Sequence, residues 1–247
     1  MLKGLWKLTW VETKVFLREP LGVFGTLFIP VIVFVVLGRI EGPPSGAGPN
    51  GAPSEAPFNL AIFAALLLAI SAASSLVAIV AIYREGGILK RLRATPLSPV
   101  TILGSHVVVK LLFTGVGLGL LVLAGRQLLP GALDVNVPSF TAAVLLSTLS
   151  ILSVGFVIAG IVPTARFGRP LSAVILYPML VVSGLFFPVE VFSPPVRAVV
   201  SLFPTTQAVA LMEGIWDGAG WSLGSAVALV AVFAVCTGLS SAVFRWE

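Results

Sequence analysis

The side chains best placed for polar contact outside a core lie together in Tyr83-Arg84-Glu85-Gly86-Gly87-Ile88-Leu89-Lys90-Arg91-Leu92-Arg93-Ala94-Thr95-Pro96-Leu97-Ser98-Pro99. Ile88, Leu89 and Leu92 form the apolar face of a short helix, Lys90, Arg91 and Arg93 are polar, and Pro96 and Pro99 end it. Two readings fit: a basic interfacial loop that only sets orientation, or a short lever that transmits a push into whatever it is tied to. The remaining reactive residues are few. One histidine, His106, and one cysteine, Cys236, cannot make a metal cluster or a nucleophile–base–acid set, and no paired carboxylates share an apolar run. No G-x-x-x-x-G-K-[ST] phosphate loop occurs, so this route to ATP hydrolysis is closed to the chain. Gly115-x-Gly117-x-Gly119 sits in a long apolar stretch. There Gly115 and Gly119, four apart, are expected to make a close helix contact rather than a dinucleotide turn, and Ser71 and Ser75 are read the same way.

The elements that position these residues follow from composition. Of 247 residues, 57% are apolar and only 10% charged, against about 25% charged in soluble domains. A chain this size cannot hide so much apolar surface in one globular core, so lipid is its solvent. A spanning helix needs about 20 predominantly apolar residues. Such runs occur at roughly 21–38, 58–82, 103–125, 139–162, 170–188 and 222–244, which predicts an all-α polytopic membrane protein with six transmembrane helices in a single domain, 1–247. With the N-terminus inside, Lys3, Lys7, Lys14, Arg18, Arg84, Lys90, Arg91, Arg93, Arg166, Arg169 and Arg245 face the cytoplasm, and only Arg39, Arg126 and Arg197 fall outside. The bias predicts cytoplasmic N- and C-termini. It also explains the net charge of +5 without a nucleic-acid partner, since the basic residues sit in gaps between apolar runs.

Residues 2–19 read as a helix lying in the membrane interface. At about 100° per residue Lys3, Lys7, Lys14 and Arg18 share one side, and Trp6 and Trp10 suit the headgroup layer. Glu12 interrupts the apolar side. It is read as a snorkelling carboxylate or as an ion-pair partner on another subunit, while His106 and Lys110 are expected to snorkel from the first turns of the third span. Apart from these two, the spans hold no Asp, Glu, Lys, Arg or His. This disfavours a proton- or ion-driven transporter. Residues 41–57, rich in Gly, Pro, Ser and Ala, read as an external loop. No cleavable leader is expected, because the first apolar run lacks a small-residue cleavage site behind it.

The order of these features resembles the membrane subunit of an ABC exporter of the type-two (ABC-2) permease family, which includes drug, antibiotic and polysaccharide exporters. Arg18-Glu19-Pro20 precedes a first span containing Pro30. Residues 84–98 are similar to the family's E-x-G-T-L-x-x-L-x-x-T-P-L-S stretch, with Gly87-Ile88 where Gly-Thr is common. Ser183-Gly184-Leu185-Phe186-Phe187-Pro188 resembles its S-G-x-x-[FY]-P exit from the fifth span, and Pro204-Thr205-Thr206-Gln207-Ala208 the proline-marked segment before the last.

The resemblance implies that 84–95 is a coupling helix seated in a groove of a separate ABC ATPase subunit, two copies per complex. Arg84, Glu85, Gly86, Gly87, Ile88, Leu89, Lys90, Arg91 and Leu92 would make the contact. The N-terminal amphipathic segment would be the connecting helix, and 189–221 would form re-entrant external helices. Ser183, Gly184, Phe186, Phe187 and Pro188 would line the substrate path near an external gate. The chain would pair with a second permease copy or a paralogue in the inner (plasma) membrane of a prokaryote. It would be no enzyme and would bind no cofactor or metal, ATP and Mg residing on the partner. Spans without fixed charge favour a hydrophobic or amphipathic cargo (a drug, antibiotic or lipid) moved outward. The alternatives are a permease for lipid-linked polysaccharide, or a membrane assembly or scaffold protein without transport.

Overall fold

The computed structural model describes residues 2–41, 59–87, 99–128, 135–162 and 164–243, and these are helical with short connections and no strand. Helix α1 is Leu2–Leu17. After a break at Arg18-Glu19 the chain turns into α2 (Pro20–Val23), a π-helical turn (Phe24–Phe28) and α3 (Ile29–Glu41). The wide turn closes through Ile29 N–H on the Phe24 carbonyl, directly before Pro30. A helical proline removes one donor and crowds the carbonyl four residues back, and a π turn is one way to make room.

The next helices are α4 (Leu60–Glu85), α5 (Pro99–Leu128), α6 (Val137–Ile161) and α7 (Ala165–Val181). A 3-10 turn (Val189–Val191) leads to α8 (Pro194–Val200), α9 (Pro204–Trp216) and α10 (Leu223–Val243). Three starts among the described residues have side-chain caps, the weakest being Ser222 Oγ, which accepts from Ser225 N–H at 3.4 Å before α10. Asn59 Oδ1 accepts from Ala61 and Ile62 N–H, both at 3.1 Å, and Asn136 Oδ1 accepts from Ser139 N–H at 3.2 Å. Each satisfies donors that a helix start leaves open.

Among the described residues four helices are long and apolar enough to cross a bilayer: Leu60–Glu85, Thr101–Gln127, Val137–Ile161 and Leu223–Ser240. The pair α8–α9, bent by 83°, brings the number to five if it counts as one broken span. The first expected span is a shorter apolar helix, Phe24–Ile40. The fifth runs Ala165–Val181 rather than 170–188 and has prolines at 170 and 178. It stops early because the chain leaves helical geometry through Gly184 at φ +99°, a conformation costly for a residue with a Cβ.

Helix α4 is the centre. It packs against α3, α5, α6, α7 and α9, while α10 lies on α6 and α9, and α1 lies on α5. Where α4 meets α6 the backbones approach closely: a Cβ added at Gly155 would stand 3.4 Å from the Ala73 carbonyl oxygen. The glycine contact expected at Gly115 and Gly119 is absent, since a Cβ at either meets nothing within 4 Å. The tight position lies between them. Gly117 faces α4, where a Cβ would come within 2.7 Å of a Leu68 methyl; Gly115 and Gly119 sit half a turn away, and Gly119 is exposed.

Candidate functional site

Two polar regions lie at the two ends of α4. Tyr83 in its last turn and Phe63 in its first are 20 residues apart in the sequence, hence about 30 Å along the axis at about 1.5 Å per residue. That is also the thickness of a bilayer's hydrocarbon core, about 30 Å.

At the C-terminal end of α4, Tyr83 OH donates to Glu12 of α1, at 2.9 Å to Oε1 and 3.1 Å to Oε2. His106 Nδ1 of α5 lies 3.6 Å from Glu12 Oε2, and the His106 ring meets the Tyr83 ring edge-on, centroids 5.4 Å apart. One turn on, Lys110 Nζ stands 4.3 Å from the centre of the Phe16 ring, which itself packs on Phe113. Glu12, His106 and Lys110 are all buried, Lys110 with only 2% of its surface exposed. Burial raises the Glu12 carboxyl above its usual range, while the Tyr83 hydrogen bond and the Lys110 charge pull it back.

These three residues therefore do not snorkel. The expectation failed because each was weighed on its own helix. Glu12 on the apolar side of α1, and His106 and Lys110 four apart on α5, are odd alone but complementary once α1 lies along α5. Opposite charges on the apolar sides of two elements are the signal that would have found the contact.

Beyond Tyr83, Arg84 Nη1 donates to the Val162 carbonyl at the end of α6, at 2.6 Å. This neutralises an open helix terminus with a cation, which the helix dipole favours there. Arg84 and Glu85 form the last turn of α4 itself. Gly86 N–H returns to the Ile82 carbonyl at 2.9 Å, Gly87 N–H to Arg84 at 3.0 Å, and Gly87 has φ +65°. A glycine in left-handed geometry is a common helix stop. The expected contact residues Ile88, Leu89, Lys90, Arg91 and Leu92, with the rest of 84–95, lie outside the described residues.

At the N-terminal end of α4, Phe63 meets Phe186 edge-on with centroids 5.7 Å apart. Of the residues expected along a path here, Ser183 is buried and donates to the Leu180 carbonyl at 2.7 Å. Gly184 makes the turn, and Phe187 and Pro188 are exposed. The bent pair is fastened beneath this turn, with Thr205 Oγ1 donating to the Met179 carbonyl at 2.8 Å. Ser183, Gly184 and Pro188 share a cavity of about 350 Å³ with Val189, Glu190, Thr206, Val209, Ala210 and Glu213. Phe186 and Phe187 do not line it. Reading 183–188 alone missed Glu190, just past its end, and Thr206 and Glu213, which come from α9, roughly 20 to 30 residues further on.

A family model described as ABC-2 type transporter matches residues 3–215, which takes in both regions and every helix through most of α9. The chain belongs to the ABC-2 type transporter family. It is a multi-pass membrane protein and the permease component of an ABC transporter, a transport part rather than a catalytic one, and it works with an ABC ATPase subunit. Comparison with curated proteins finds no match. In this ABC-2 permease the 84–98 stretch thus begins on the last turn of the central helix, next to the Glu12 contact.

Proposed function

We propose that this ABC-2 permease carries a hydrophobic or amphipathic compound out of the cell, driven by two ATPase subunits docked on residues 84–95. In this reading six spans place both termini in the cytoplasm, α1 is the connecting helix, the α8–α9 pair is re-entrant at the outer face, and two permease chains enclose the path in a prokaryotic plasma membrane. ATP and Mg belong to the partner.

One observation carries the reading. Helix α4 joins the Arg84-Glu85-Gly86-Gly87 turn at one end to the Phe63–Phe186 contact at the other, so a displacement received at the basic segment reaches the far face through one continuous helix. Apolar walls support an apolar cargo, since a desolvated ion needs counter-charges.

The test is reconstitution. The chain copurified with its ATPase in nanodiscs is expected to hydrolyse ATP faster when a transported compound is present. Leu89→Asp with Leu92→Asp should leave hydrolysis running but abolish its response to that compound. Full compound-stimulated transport by this double variant would overturn the coupling assignment, and a purified chain that never associates with an ATPase would favour the scaffold alternative.

A further inference from the structure

The cavity behind the α7 exit carries features that an apolar cargo path does not require. Glu190 and Glu213 both line it, and they lie close enough to interact electrostatically, as do Glu213 and Asp217. Among the described residues neither Glu190 nor Glu213 has a carboxylate hydrogen bond or ion pair. Arg197, the one cation of this segment, donates Nη2 to the backbone carbonyls of Glu190 (2.6 Å) and Phe192 (3.5 Å) instead. Like charges held together without a counter-ion oppose one another, and a cation between them removes that cost.

A second, independent feature is Thr206. Its side chain lines the same cavity, only 7% of the residue is exposed, and its Oγ1 has no hydrogen-bond partner among the described residues. A buried hydroxyl without a partner is costly unless something else completes it. Thr205, its neighbour, is by contrast satisfied by the Met179 carbonyl. The volume, about 350 Å³, falls within the span of small-molecule pockets, about 300–1,000 Å³. A metal ion fits poorly, since no group of three or more His, Cys, Asp or Glu suited to one occurs among the described residues.

We propose that this cavity binds the protonated amine of an amphipathic compound, with Glu190 and Glu213 supplying the negative charge and the Thr206 hydroxyl accepting an N–H, while the compound's apolar body lies against Val189, Val209 and Ala210. The site rests on the export reading and narrows it: the cargo is a cationic amphiphile that reaches this pocket at the outer end of its path. The carboxylates stand at the mouth rather than in the spans, so the charge is met where water is at hand and the apolar body is the part that crosses lipid.

Dansylcadaverine, whose terminal amine is protonated near neutral pH, is the probe. Its analogue with an unsubstituted alkyl chain lacks the charge, and its trimethylated analogue keeps the charge without N–H donors. Fluorescence titration of the full chain with its ATPase in nanodiscs, without ATP, is expected to show the amine bound at least about tenfold more tightly than the uncharged analogue. Glu213→Gln should weaken the amine about tenfold, and Glu190→Gln, at a more exposed position, about threefold. Thr206→Val, close in shape, should weaken dansylcadaverine but leave the trimethylated analogue unchanged. Equal affinity for charged and uncharged compounds, or unchanged amine affinity in the Glu190→Gln, Glu213→Gln double variant, overturns the site. Carboxylate-dependent binding that persists while ATP hydrolysis ignores all three compounds upholds the pocket and removes the export reading instead.

Discussion

The two ends of α4 treat their polar residues in opposite ways. At the Tyr83 end the Glu12 carboxylate takes the Tyr83 hydroxyl and faces the His106 ring, while the Lys110 ammonium lies over the Phe16 ring, with Lys110 Nζ and His106 Nε2 lacking a hydrogen-bond partner among the described residues. At the Phe63 end Glu190, Glu213 and Thr206 face a cavity with no partner for their side-chain oxygens among the described residues. In the first region polar groups hold elements of the chain together. In the second they are left for something that is not part of it. The carboxylates thus serve cohesion at one end and reception at the other: that of Glu12 is taken up by Tyr83, and those of Glu190 and Glu213 have no partner among the described residues.

The contrast breaks most sharply through Glu12. Glu12→Leu leaves the Tyr83 hydroxyl without its acceptor and takes one of two nearby negative charges, the other being Glu19, away from the buried Lys110 ammonium; it should cost about 3 kcal/mol, seen as a fall in thermal stability in detergent or nanodiscs. Combining it with Lys110→Met should restore part of that loss, because the buried ammonium is then removed together with the carboxylate. A double variant as unstable as Glu12→Leu alone would mean that the charges do not act as a pair. Next in size, Tyr83→Phe removes a hydrogen bond to a charged group and should cost ~1.5–3 kcal/mol by the same measurement.

Backbone turns at the two ends provide a third comparison. Gly184→Ala meets both a positive φ and Val189 Cγ2 at 3.0 Å, and should cost ~1–3 kcal/mol. Gly87→Ala has the positive φ but meets nothing within 4 Å among the described residues, and should cost about 1 kcal/mol. Equal losses at the two positions would show that Val189 gives way freely. The smallest effect has the opposite sign: Glu213→Gln relieves repulsion from Glu190 and Asp217 and should change stability by no more than about 0.5 kcal/mol, toward stabilisation. A substantial loss would place Glu213 in a cohesive contact and erase the distinction between the ends.

Much of this scaffold is legible in the sequence, because a bilayer leaves the backbone few choices. The apolar runs near 58–82, 103–125, 139–162 and 222–244 correspond to α4, α5, α6 and α10 within a few residues. The helix at 2–17 and the break at Arg18-Glu19-Pro20 also stand where residue types put them. Runs with internal proline were harder to read: 21–38 is split by a π turn before Pro30, and 170–188 begins at Ala165 and ends at Val181. Apolar content fixes neither where a proline bends a helix nor where a glycine stops it. The sites were less legible still. Glu12 stands 94 residues from His106 and 98 from Lys110 along the chain, and only the docking of α1 on α5 brings them together. Glu190, Thr206 and Glu213 likewise converge only because α9 folds back beneath the α7 exit.

One property of α4 has a mechanical corollary. From Ala61 to Ala81 it is buried around most of its girth, and much of the surface it presents to its neighbours is alanine, at 61, 64, 65, 69, 72, 73, 78 and 81, while Phe63, Leu67, Ser71, Ser75 and Ile79, four apart, leave one half-open stripe. A rod gripped in this way can swing only toward that stripe, and short smooth flanks offer little to catch on. Its remaining freedom is axial, a glide along its own length. Under the proposed coupling such a transmission would have no gearing: travel applied at Glu85 would arrive undiminished at Phe63.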